Sequence, residues 1–477
     1  MKTVLFAGAE AMPFAATGGL GDVLGSLPAA LSATGEADVR VVLPLYESVP
    51  EGYRRKMKQE AVFSVRLSWR EQYCGVWSLV QNGVTYYFLD NEYYFRRPSL
   101  YGYYDDGERY AYYCMAVLEM MRQLNYYPDI LHAHDWQAAL TVVYLNCIYH
   151  SRPHYGNIRT VFTIHNIEYQ GQYDFSILGD VFALGENEHT LMENNGCINL
   201  MKAAIECADR VTTVSPRYAE EIRTAEYAHG LEGSLNRNAA KLCGILNGID
   251  YAYYDPANDP AIAHPYTRRA MSGKAKDKAA MQKECGLPVR NDVPLLSVIS
   301  RLASHKGLDL VEACIDGLVS RNDIQFVILG RGEERFERFF TDLQNRHPDR
   351  VRALIAYDRD LSKRVYAAAD IFLMPSRTEP CGLSQMIASR YGAIPVVRET
   401  GGLYDSIKPY WSDTKGIHGN GFTFANYRAE ELAERTEAAV ALWRDVPSRR
   451  KLLSRIMQTD FSWDTSAGSY LELYRGL

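Results

Sequence analysis

The sequence predicts an α/β protein made of two doubly wound, parallel-sheet domains that face each other across a deep cleft. Two observations lead to this prediction. Strand-like apolar runs alternate with helical patterns along most of the 477 residues, a length too great for one ordinary hydrophobic core. The alternation stops once, in the Asp-, Pro- and Asn-rich stretch 247–266, and then resumes. We therefore expect a first domain over 1–246 and a second over 247–459.

The first domain is expected to combine parallel strands with covering helices. Apolar runs predict strands at 3–9, 38–43, 130–133, 159–164 and 210–214. Helical patterns predict helices at 19–33, 137–149 and 216–224. Within 74–90, two β-rich runs flank Asn82-Gly83, which is the strongest short signal for an antiparallel hairpin.

The second domain repeats the pattern of strand and helix. Strands are predicted at 294–300, 324–329, 351–355, 371–375 and 394–397, and each is followed by a helix candidate. In sheets of this kind, ligands bind beyond the carboxyl ends of the strands. Residues that directly follow a strand are therefore the first candidates for function.

Composition excludes several classes of protein. The net charge is −6 without a long run of like charge, so nucleic acid is not an expected partner. No apolar run approaches the roughly eighteen residues of a membrane span, and Glu10 and Pro13 interrupt the N-terminal apolar stretch that a secretion signal would need. The nine cysteines include no C-x-x-C pair, which favours neither disulfides nor zinc and indicates the cytoplasm.

A glycine-rich loop lies between the first strand and the first helix. Gly19, Gly21 and Gly25 form G-x-G-x-x-x-G, close to a dinucleotide fingerprint but one residue off, and the second strand ends without an acidic residue. A nicotinamide cofactor is therefore disfavoured. The loop can either present backbone N–H groups to an anionic ligand or make a tight turn for close packing. The echo T-G-G-L at 400–403 favours the ligand.

Three charged residues follow strands of the second domain. Arg301 and Lys306 are suited to a diphosphate, Arg through its planar fork and Lys as a point charge; the alternative is a solvated Lys at a helix start. Glu379 directly precedes Pro380, where a carboxylate can hold sugar hydroxyls or support an oxocarbenium-like centre. The alternative for Glu379 is helix capping.

Histidines and a D-x-D motif raise the question of a metal. His165 ends a strand run, where doubly wound enzymes keep their chemistry, although a lone histidine is more often structural. His132 and His134 share one face of a strand without a further ligand, so they are interpreted as structural or pocket-lining. The motif Asp358-Arg359-Asp360 is short enough to arise by chance, and a metal site there is disfavoured.

Tyrosine is the compositional outlier, with 34 residues, of which twelve lie between Tyr86 and Tyr127. Aromatic faces stack on the C–H faces of sugars, so 93–113 is interpreted as a partly exposed glucan-binding surface. The alternative is a packed aromatic cluster under a long loop. The residues expected to bind the acceptor are Tyr101, Tyr104, Asp106 and Arg109.

A set of motifs in a fixed order resembles a known family. They are TGGLGDV (17–23), HAHDWQAAL (132–140), FTIHNIEYQG (162–171), LNGID (246–250), SRLASHKGLDL (300–310), PSRTEPCGLSQM (375–386) and TGGLYD (400–405). Together they resemble bacterial glycogen synthases and plant starch synthases, which are retaining glucosyltransferases of the GT-B fold. The likeness runs nearly end to end, and 460–477 looks like the family's final helix, which packs back on the N-terminal domain.

The resemblance implies transfer of glucose from a nucleotide-glucose, usually ADP-glucose in bacteria, to the non-reducing end of an α-1,4-glucan, with no cofactor and no metal. Arg301 and Lys306 would neutralise the diphosphate, and Glu379 would hold the transferred glucose. His165 and Asp22 would lie over that sugar. The other substrate positions that the resemblance implies are Thr17, Gly18, Gly19, Asn247, Tyr357 (stacking on the adenine), Cys381, Gly382, Leu383, Thr400, Gly401 and Gly402.

Two positions depart from the family's pattern. The first loop of the family commonly reads K-x-G-G-L, with a lysine that reaches the donor diphosphate, and this chain has Ala16 there. Loss of a charge-assisted bond typically costs about 1.5–3 kcal/mol if nothing replaces it. The wider group also carries a second glutamate eight residues after the first, where this chain has Ile387, with Gln385 nearby. The alternatives are thus a UDP-glucose-dependent enzyme or a catalytically weak, glucan-binding scaffold; a glucan phosphorylase is disfavoured.

Overall fold

The structure, a computed structural model, describes residues 1–477. It divides the chain into two compact units, one comprising residues 1–247 and 463–477 and the other residues 248–462. The boundaries expected at 246 and 460 thus lie within three residues of the observed ones. The first unit is discontinuous in sequence, because the last fifteen residues return to it.

Twenty strands and eighteen α-helices make up the two units. The strands are β1 (Lys2–Ala7), β2 (Ala37–Pro44), β3 (Lys58–Leu67), β4 (Arg70–Gln81), β5 (Val84–Asp90), β6 (Ile130–His134), β7 (Arg159–Ile164), β8 (Gln172–Tyr173), β9 (Glu193–Asn194), β10 (Cys197–Asn199), β11 (Arg210–Thr213), β12 (Leu242–Gly244), β13 (Leu295–Ile299), β14 (Gln325–Leu329), β15 (Val351–Leu354), β16 (Ile371–Met374), β17 (Ile394–Arg398), β18 (Trp411–Asp413), β19 (Gly416–His418) and β20 (Phe422–Phe424). The helices are α1 (Gly19–Ala33), α2 (Glu51–Arg54), α3 (Glu92–Phe95), α4 (Asp106–Gln123), α5 (Asp135–Tyr144), α6 (His189–Met192), α7 (Leu200–Cys207), α8 (Pro216–Glu221), α9 (Glu232–Arg237), α10 (Ser272–Glu284), α11 (Leu308–Arg321), α12 (Glu334–Arg346), α13 (Arg359–Ala368), α14 (Ser384–Arg390), α15 (Gly401–Ser406), α16 (Ala429–Arg444), α17 (Val446–Ile456) and α18 (Trp463–Arg475).

The first unit is built on a nine-stranded sheet with the order β12-β11-β7-β6-β1-β2-β5-β4-β3. All pairings are parallel except those of β4 with its two neighbours. The predicted hairpin is confirmed, since Asn82 and Gly83 adopt positive φ angles of 51° and 78° between β4 and β5. The sequence did not predict β3, the edge strand, or the small sheet β8-β10-β9.

The second unit has a six-stranded, all-parallel sheet with the order β15-β14-β13-β16-β17-β20. The five predicted strands correspond to β13 to β17, and β20 was not predicted. The strand order changes direction between β13 and β16 here, and between β1 and β6 in the first unit. In doubly wound sheets, ligands bind beyond the carboxyl ends of the strands at such points.

Burial explains why these strands are recognisable in the sequence. The residues of β14 and β16 are buried throughout, because helices cover both faces of a parallel sheet. At the end of the chain, α18 packs on α1 and buries Trp463, Tyr470 and Tyr474. None of the helices combines the length and the apolar character that crossing a membrane requires.

The tyrosine-rich segment mainly contributes to the core, which corrects the interpretation of it as a binding surface. Tyr94, Tyr110, Tyr112 and Tyr113 are completely buried, on α3 and α4. Their hydroxyls remain hydrogen-bonded inside; that of Tyr113 donates to the carbonyl of Gly8 at 2.9 Å. The packed aromatic cluster is therefore the better description of most of this segment.

Candidate active site

A cavity of about 160 Å³ lies at the carboxyl ends of β13 and β16 in the second unit. This is the point at which the strand order of that sheet changes direction. The residues that line the cavity include Ser300, Arg301, Lys306, Ser376 and Ser384. The polar lining thus comes from the segments that follow the two central strands, where doubly wound sheets bind their ligands.

Lys306 and Glu379 form an ion pair at this cavity. The Lys306 ammonium donates to Glu379 Oε2 at 2.8 Å, and the hydroxyl of Ser376 donates to the same oxygen at 2.9 Å. Glu379 is only 6 % exposed, so the pair holds its carboxylate in a defined position. Arg301 is exposed at the rim, and no ion pair holds its guanidinium.

The turn that presents Lys306 requires a glycine. Gly307 has a φ of +72°, and a Cβ there would lie 2.0 Å from the carbonyl oxygen of Pro375. The backbone after β13 therefore approaches the backbone after β16 closely enough for Lys306 to reach Glu379. Sequence reasoning named the charges but not this glycine.

The two loops at 379–383 and 400–402 pack backbone to backbone. The N–H of Gly402 donates to the carbonyls of Glu379 and Pro380, each at 3.1 Å. A Cβ at Gly401 would lie 2.0 Å from the carbonyl oxygen of Glu379, and one at Gly402 would lie 2.1 Å from that of Cys381. These glycines are therefore needed for contact between the loops, whatever further role they have toward a ligand.

Gln385, at the start of α14, is hydrogen-bonded to the first of these loops and to α15, the helix that begins in the second. Its side chain is completely buried. Its Nε2 donates to the carbonyls of Cys381 at 3.2 Å and Gly382 at 2.9 Å, and to the hydroxyl of Ser406 at 3.0 Å. Since Ser406 ends α15, this amide joins both predicted substrate loops. The sequence drew attention to position 385 only as a neighbour of the missing second glutamate.

Tyr357 and the D-x-D motif lie on a more exposed part of the second unit, after β15. The Tyr357 side chain is 80 % exposed. Asp358 caps α13, because its side chain accepts a hydrogen bond from the N–H of Leu361 at 2.8 Å. Capping accounts for the aspartate without a metal ion.

The glycine loop of the first unit contains two kinds of glycine. Gly18 and Gly19 are exposed and have no atom within 4 Å of an added Cβ. A Cβ at Gly21 would lie 2.3 Å from that of Ala16, and one at Gly25 would lie 2.7 Å from the carbonyl of Met12. Close packing therefore explains the later pair, and only the earlier pair leaves backbone open to a ligand.

Glu10 holds this loop in place, and sequence reasoning did not assign it a role. Its carboxylate is 4 % exposed and accepts hydrogen bonds from the N–H of Thr17 at 2.6 Å, the hydroxyl of Thr17 at 2.7 Å and the N–H of Gly18 at 3.1 Å. It also accepts from the hydroxyl of Tyr101 at 2.7 Å. A buried carboxylate with four donors fixes the loop that contains Thr17 relative to the loop that contains Tyr101.

His165 follows β7 and belongs to a buried group of polar residues. The main-chain N–H of His165 donates to Asp135 Oδ1 at 2.7 Å. The ring Nε2 of His165 is hydrogen-bonded to His134 Nδ1 at 3.0 Å. Removal from water lowers the pKa of His165 to about 3, so the ring is neutral at neutral pH. Burial also raises the pKa of Asp135 to about 7.

His132 and His134 are structural, in line with the interpretation from the sequence. Their rings stack with centroids 4.2 Å apart, and burial holds the pKa of each well below its usual range. His132 is hydrogen-bonded to the hydroxyl of Tyr474 at 2.8 Å and to that of Thr163 at 2.6 Å. Nowhere in the structure are three His, Cys, Asp or Glu side chains grouped closely enough to bind a metal ion.

The four expected acceptor residues differ in accessibility. Tyr104 is fully exposed, whereas Tyr101 is half-buried and bonded to Glu10. Asp106 and Arg109 depart from the expectation, because Arg109 is completely buried and ion-paired to Asp106. Arg109 donates to the carbonyls of Tyr94 and Leu100 at 2.7 and 3.1 Å, so it supports the loop from inside and does not contact a surface ligand.

Two further predicted residues lie at the ends of elements. Asp22 is half-buried in the first turn of α1, close to the exposed glycines. Asn247 is the last residue of the first part of unit one and is 6 % exposed, and its Oδ1 has no hydrogen-bond partner. A buried acceptor without a partner is costly unless a ligand or water supplies the donor.

Comparisons with known proteins agree along the whole chain. Residues 3–237 match the family described as the starch synthase catalytic domain, and residues 286–455 match glycosyl transferases group 1. The glycogen synthase of Geobacillus thermodenitrificans is 45% identical over 476 residues, covering 99% of this chain and 97% of the relative. That of Lactobacillus acidophilus is 45% identical over 473 residues, covering 99% and 98%.

A solved structure is similarly close. The catalytic domain of starch synthase IV from Arabidopsis thaliana, bound to ADP and acarbose, aligns with a TM-score of 0.92 and 36% identity, covering 100% of this chain and 99% of that chain. The chain belongs to the glycogen synthase family. It is a glycosyltransferase, and the predicted GT-B class with two Rossmann-like domains is confirmed.

In this member of the glycogen synthase family, sequence reasoning assigned no role to Glu10, Ser376 or Gln385. The sequence features that could have drawn attention to them differ in strength. Glu10 interrupts an apolar stretch directly after a strand, a position where an acid is expensive unless it is bonded. Ser376 directly follows the predicted strand at 371–375, as other candidates do. Gln385 carried no comparable signal, because a single glutamine in a helical pattern is ordinary.

Proposed function

We propose that this member of the glycogen synthase family transfers glucose, with retention, from ADP-glucose to the non-reducing end of an α-1,4-glucan. The observation that carries the proposal is the cavity lined by Arg301 and Lys306, together with the ion pair between Lys306 and Glu379. The similarity to a starch synthase that was solved with ADP and acarbose supports the choice of nucleotide and of glucan.

Arg301 and Lys306 are proposed to bind the diphosphate of the donor. Both line the cavity, and the Arg301 guanidinium has its fork available for two phosphate oxygens. Lys306 is paired with Glu379 in this structure, and its two remaining N–H groups can serve a phosphate. Together they would stabilise the charge that develops on the leaving ADP, which is the main contribution to catalysis that we assign to the protein.

Glu379 is proposed to hold the transferred glucose and to support positive charge at its anomeric carbon. The hydrogen bonds from Lys306 and Ser376 converge on Oε2, and no hydrogen bond from a side chain occupies Oε1. That second oxygen can accept a hydrogen bond from a sugar hydroxyl. The N–H of Gly402 and the side-chain amide of Gln385 donate hydrogen bonds to main-chain carbonyls of the loop 379–383. These bonds fix the position of the loop that carries the Glu379 carboxylate.

In the first unit, His165 and Asp22 are proposed to bind sugar, and Asp22 lies close to the exposed backbone of Gly18 and Gly19. Because the pKa of His165 is lowered to about 3, the ring acts as a neutral hydrogen-bonding group and not as a cation. We assign it a role in binding and orientation, and Tyr101 and Tyr104 a role toward the glucan.

The proposed step needs neither a metal ion nor a covalent enzyme intermediate. The 4-hydroxyl of the terminal glucose attacks the anomeric carbon from the face that ADP leaves. The bond between that carbon and the phosphate oxygen breaks, and the hydroxyl proton passes to the departing phosphate. Glucan longer by one residue and ADP result. The nine free cysteines fit our placement of this reaction in the cytoplasm.

Glucose incorporation into glycogen by the purified protein tests the proposal, with ADP-glucose and UDP-glucose compared in the presence of a chelator. We expect incorporation from ADP-glucose. Incorporation from UDP-glucose alone would overturn the donor assignment but keep the transferase reaction. If neither donor is used while glycogen still binds, the chain is a scaffold.

Position 16 provides a sharper test of donor binding. Introducing a lysine by Ala16→Lys should lower the KM for ADP-glucose by about 10- to 150-fold, the equivalent of one charge-assisted bond of about 1.5–3 kcal/mol. Ala16→Met is the matched control, because it adds comparable length without charge and should leave that KM unchanged. Equal KM values in the Lys and Met variants would show that this loop does not contact the diphosphate.

A further inference from the structure

Two cysteines meet where the ends of two packed helices of the first unit come together. Cys147 lies in the π-helical turn Leu145–Tyr149 that continues α5, and Cys207 is the last residue of α7. The helices α5 and α7 pack on each other, and the Asn146 amide donates to the carbonyl of Cys207 at 3.5 Å. This contact brings the turn that carries Cys147 to the end of α7 that carries Cys207, and each thiol shifts the pKa of the other. π-helical turns are rare and occur frequently at functional positions.

The two thiols differ in accessibility and acidity. Cys147 is the exposed one among the nine cysteines, and Cys207 is partly covered. Interaction with Cys207 lowers the pKa of Cys147, whereas interaction with Cys147 and burial raise the pKa of Cys207. A reactive, exposed thiol beside a second thiol is the arrangement found in redox-responsive pairs.

A cation is fixed beside this pair. The ammonium of Lys241 donates to the carbonyls of Glu206 at 2.9 Å and Ala208 at 2.8 Å, the residues on either side of Cys207. This positive charge acts on Cys207, where it partly offsets the rise in pKa that burial causes. The thiols of Cys114 and Cys197, by contrast, donate to main-chain carbonyls at 3.2 Å.

We propose that Cys147 and Cys207 form a reversible disulfide when the protein meets hydrogen peroxide. The Cys147 thiolate attacks one peroxide oxygen, the O–O bond breaks, and the released oxygen leaves as water after taking a proton. The resulting sulfenic acid is attacked by the sulfur of Cys207, which forms the S–S bond and releases a second water. The peroxide is reduced, the two thiols are oxidised, and a dithiol reductant reverses the change.

This bond would join the carboxyl-terminal ends of α5 and α7 and close the chain between residues 147 and 207. A crosslink across a segment of this length restricts the unfolded chain more than the folded one. The oxidised protein is therefore expected to unfold at a higher Tm than the reduced protein. The change is independent of which nucleotide-sugar the enzyme uses.

The test uses the purified full chain, fully reduced and then treated with hydrogen peroxide. Alkylation, digestion and mass spectrometry should reveal a peptide pair joined through Cys147 and Cys207 and lighter by two hydrogens. Two thiols per chain should be lost, the Tm should rise, and dithiothreitol should reverse both effects. Cys147→Ser should abolish the crosslink, whereas the control Cys243→Ser, at a partly buried cysteine of the same unit, should leave it intact.

A second variant separates the two chemical steps. In Cys207→Ser the sulfenic acid at Cys147 has no second thiol to react with, so it should persist and be trapped by dimedone. The proposal is overturned if wild-type Cys147 proceeds to sulfinic or sulfonic acid while Cys207 stays a free thiol. Oxidation of other cysteines with neither of these two modified would overturn it equally.

Discussion

Glu379→Gln should lower kcat for glucose transfer by roughly 10²–10³-fold, the usual effect of removing one electrostatic group that acts on the transition state. The amide that replaces the carboxylate has no charge to support the anomeric carbon. It would also have to accept the bonds that Lys306 and Ser376 now donate to Oε2 at 2.8 and 2.9 Å. Steady-state kinetics with ADP-glucose and glycogen, together with a melting curve, measure the effect.

The matched control applies the same chemical change to an ion pair outside the cavity. Glu312 lies on α11 and accepts a hydrogen bond from Arg335 at 2.7 Å, and both side chains are partly exposed. Exposed pairs contribute about 0–1 kcal/mol to stability, so Glu312→Gln should leave kcat and the Tm nearly unchanged. If Glu379→Gln behaved like this control, the assignment of Glu379 to the reacting sugar would be wrong.

Gly402→Ala should damage both the stability and the activity of the second unit. The new Cβ would lie 2.1 Å from the carbonyl oxygen of Cys381 and 2.4 Å from its Cα, and both atoms are main chain. Because neither can rotate away, the two loops must separate, at a cost of about 1–3 kcal/mol of unfolding free energy. Separation also breaks the bonds from the N–H of Gly402 to Glu379 and Pro380, so the KM for the donor should rise.

Urea unfolding and donor kinetics would measure the two effects, with Gly317→Ala as the control. Gly317 lies within α11, and a Cβ there meets only the flexible end of Arg321 at 2.8 Å. Removing a helical glycine stabilises by about 0.5–1 kcal/mol where no clash results. A Gly402→Ala protein as stable and active as the control would show that the close approach of the loops is dispensable.

The strand pattern of this chain was predictable because of how parallel sheets are covered. Strands such as β14 and β16 are buried on both faces, and their sequences are unbroken apolar runs. The edge strand β3 was missed because one of its faces is not covered in this way. It has Lys58, Glu60, Ser64 and Arg66 exposed along its outer face, and such alternation with charges hides a strand.

Site residues were predictable where a charged residue follows a strand. They were not predictable where buried hydrogen bonds determine the position of the side chain. Lys306 and Glu379 stood out because both are charged residues after central strands, and the structure pairs them. Arg109 was misjudged as a surface residue, since the sequence does not show the carbonyls that bind its guanidinium inside. Tyrosine has the same ambiguity, because a ring with one hydroxyl suits either a core or a binding surface.

The bond between His132 and Tyr474 has a consequence for synthesis of the protein on the ribosome. The last helix of the first unit, α18, comes from residues 463–475. The hydroxyl of Tyr474 in this helix is hydrogen-bonded to His132, whose ring stacks on that of His134. All of the intervening 248–462 must therefore emerge before the first unit can be completed. The second unit, contiguous in the chain, can finish folding while the first still waits for its final helix.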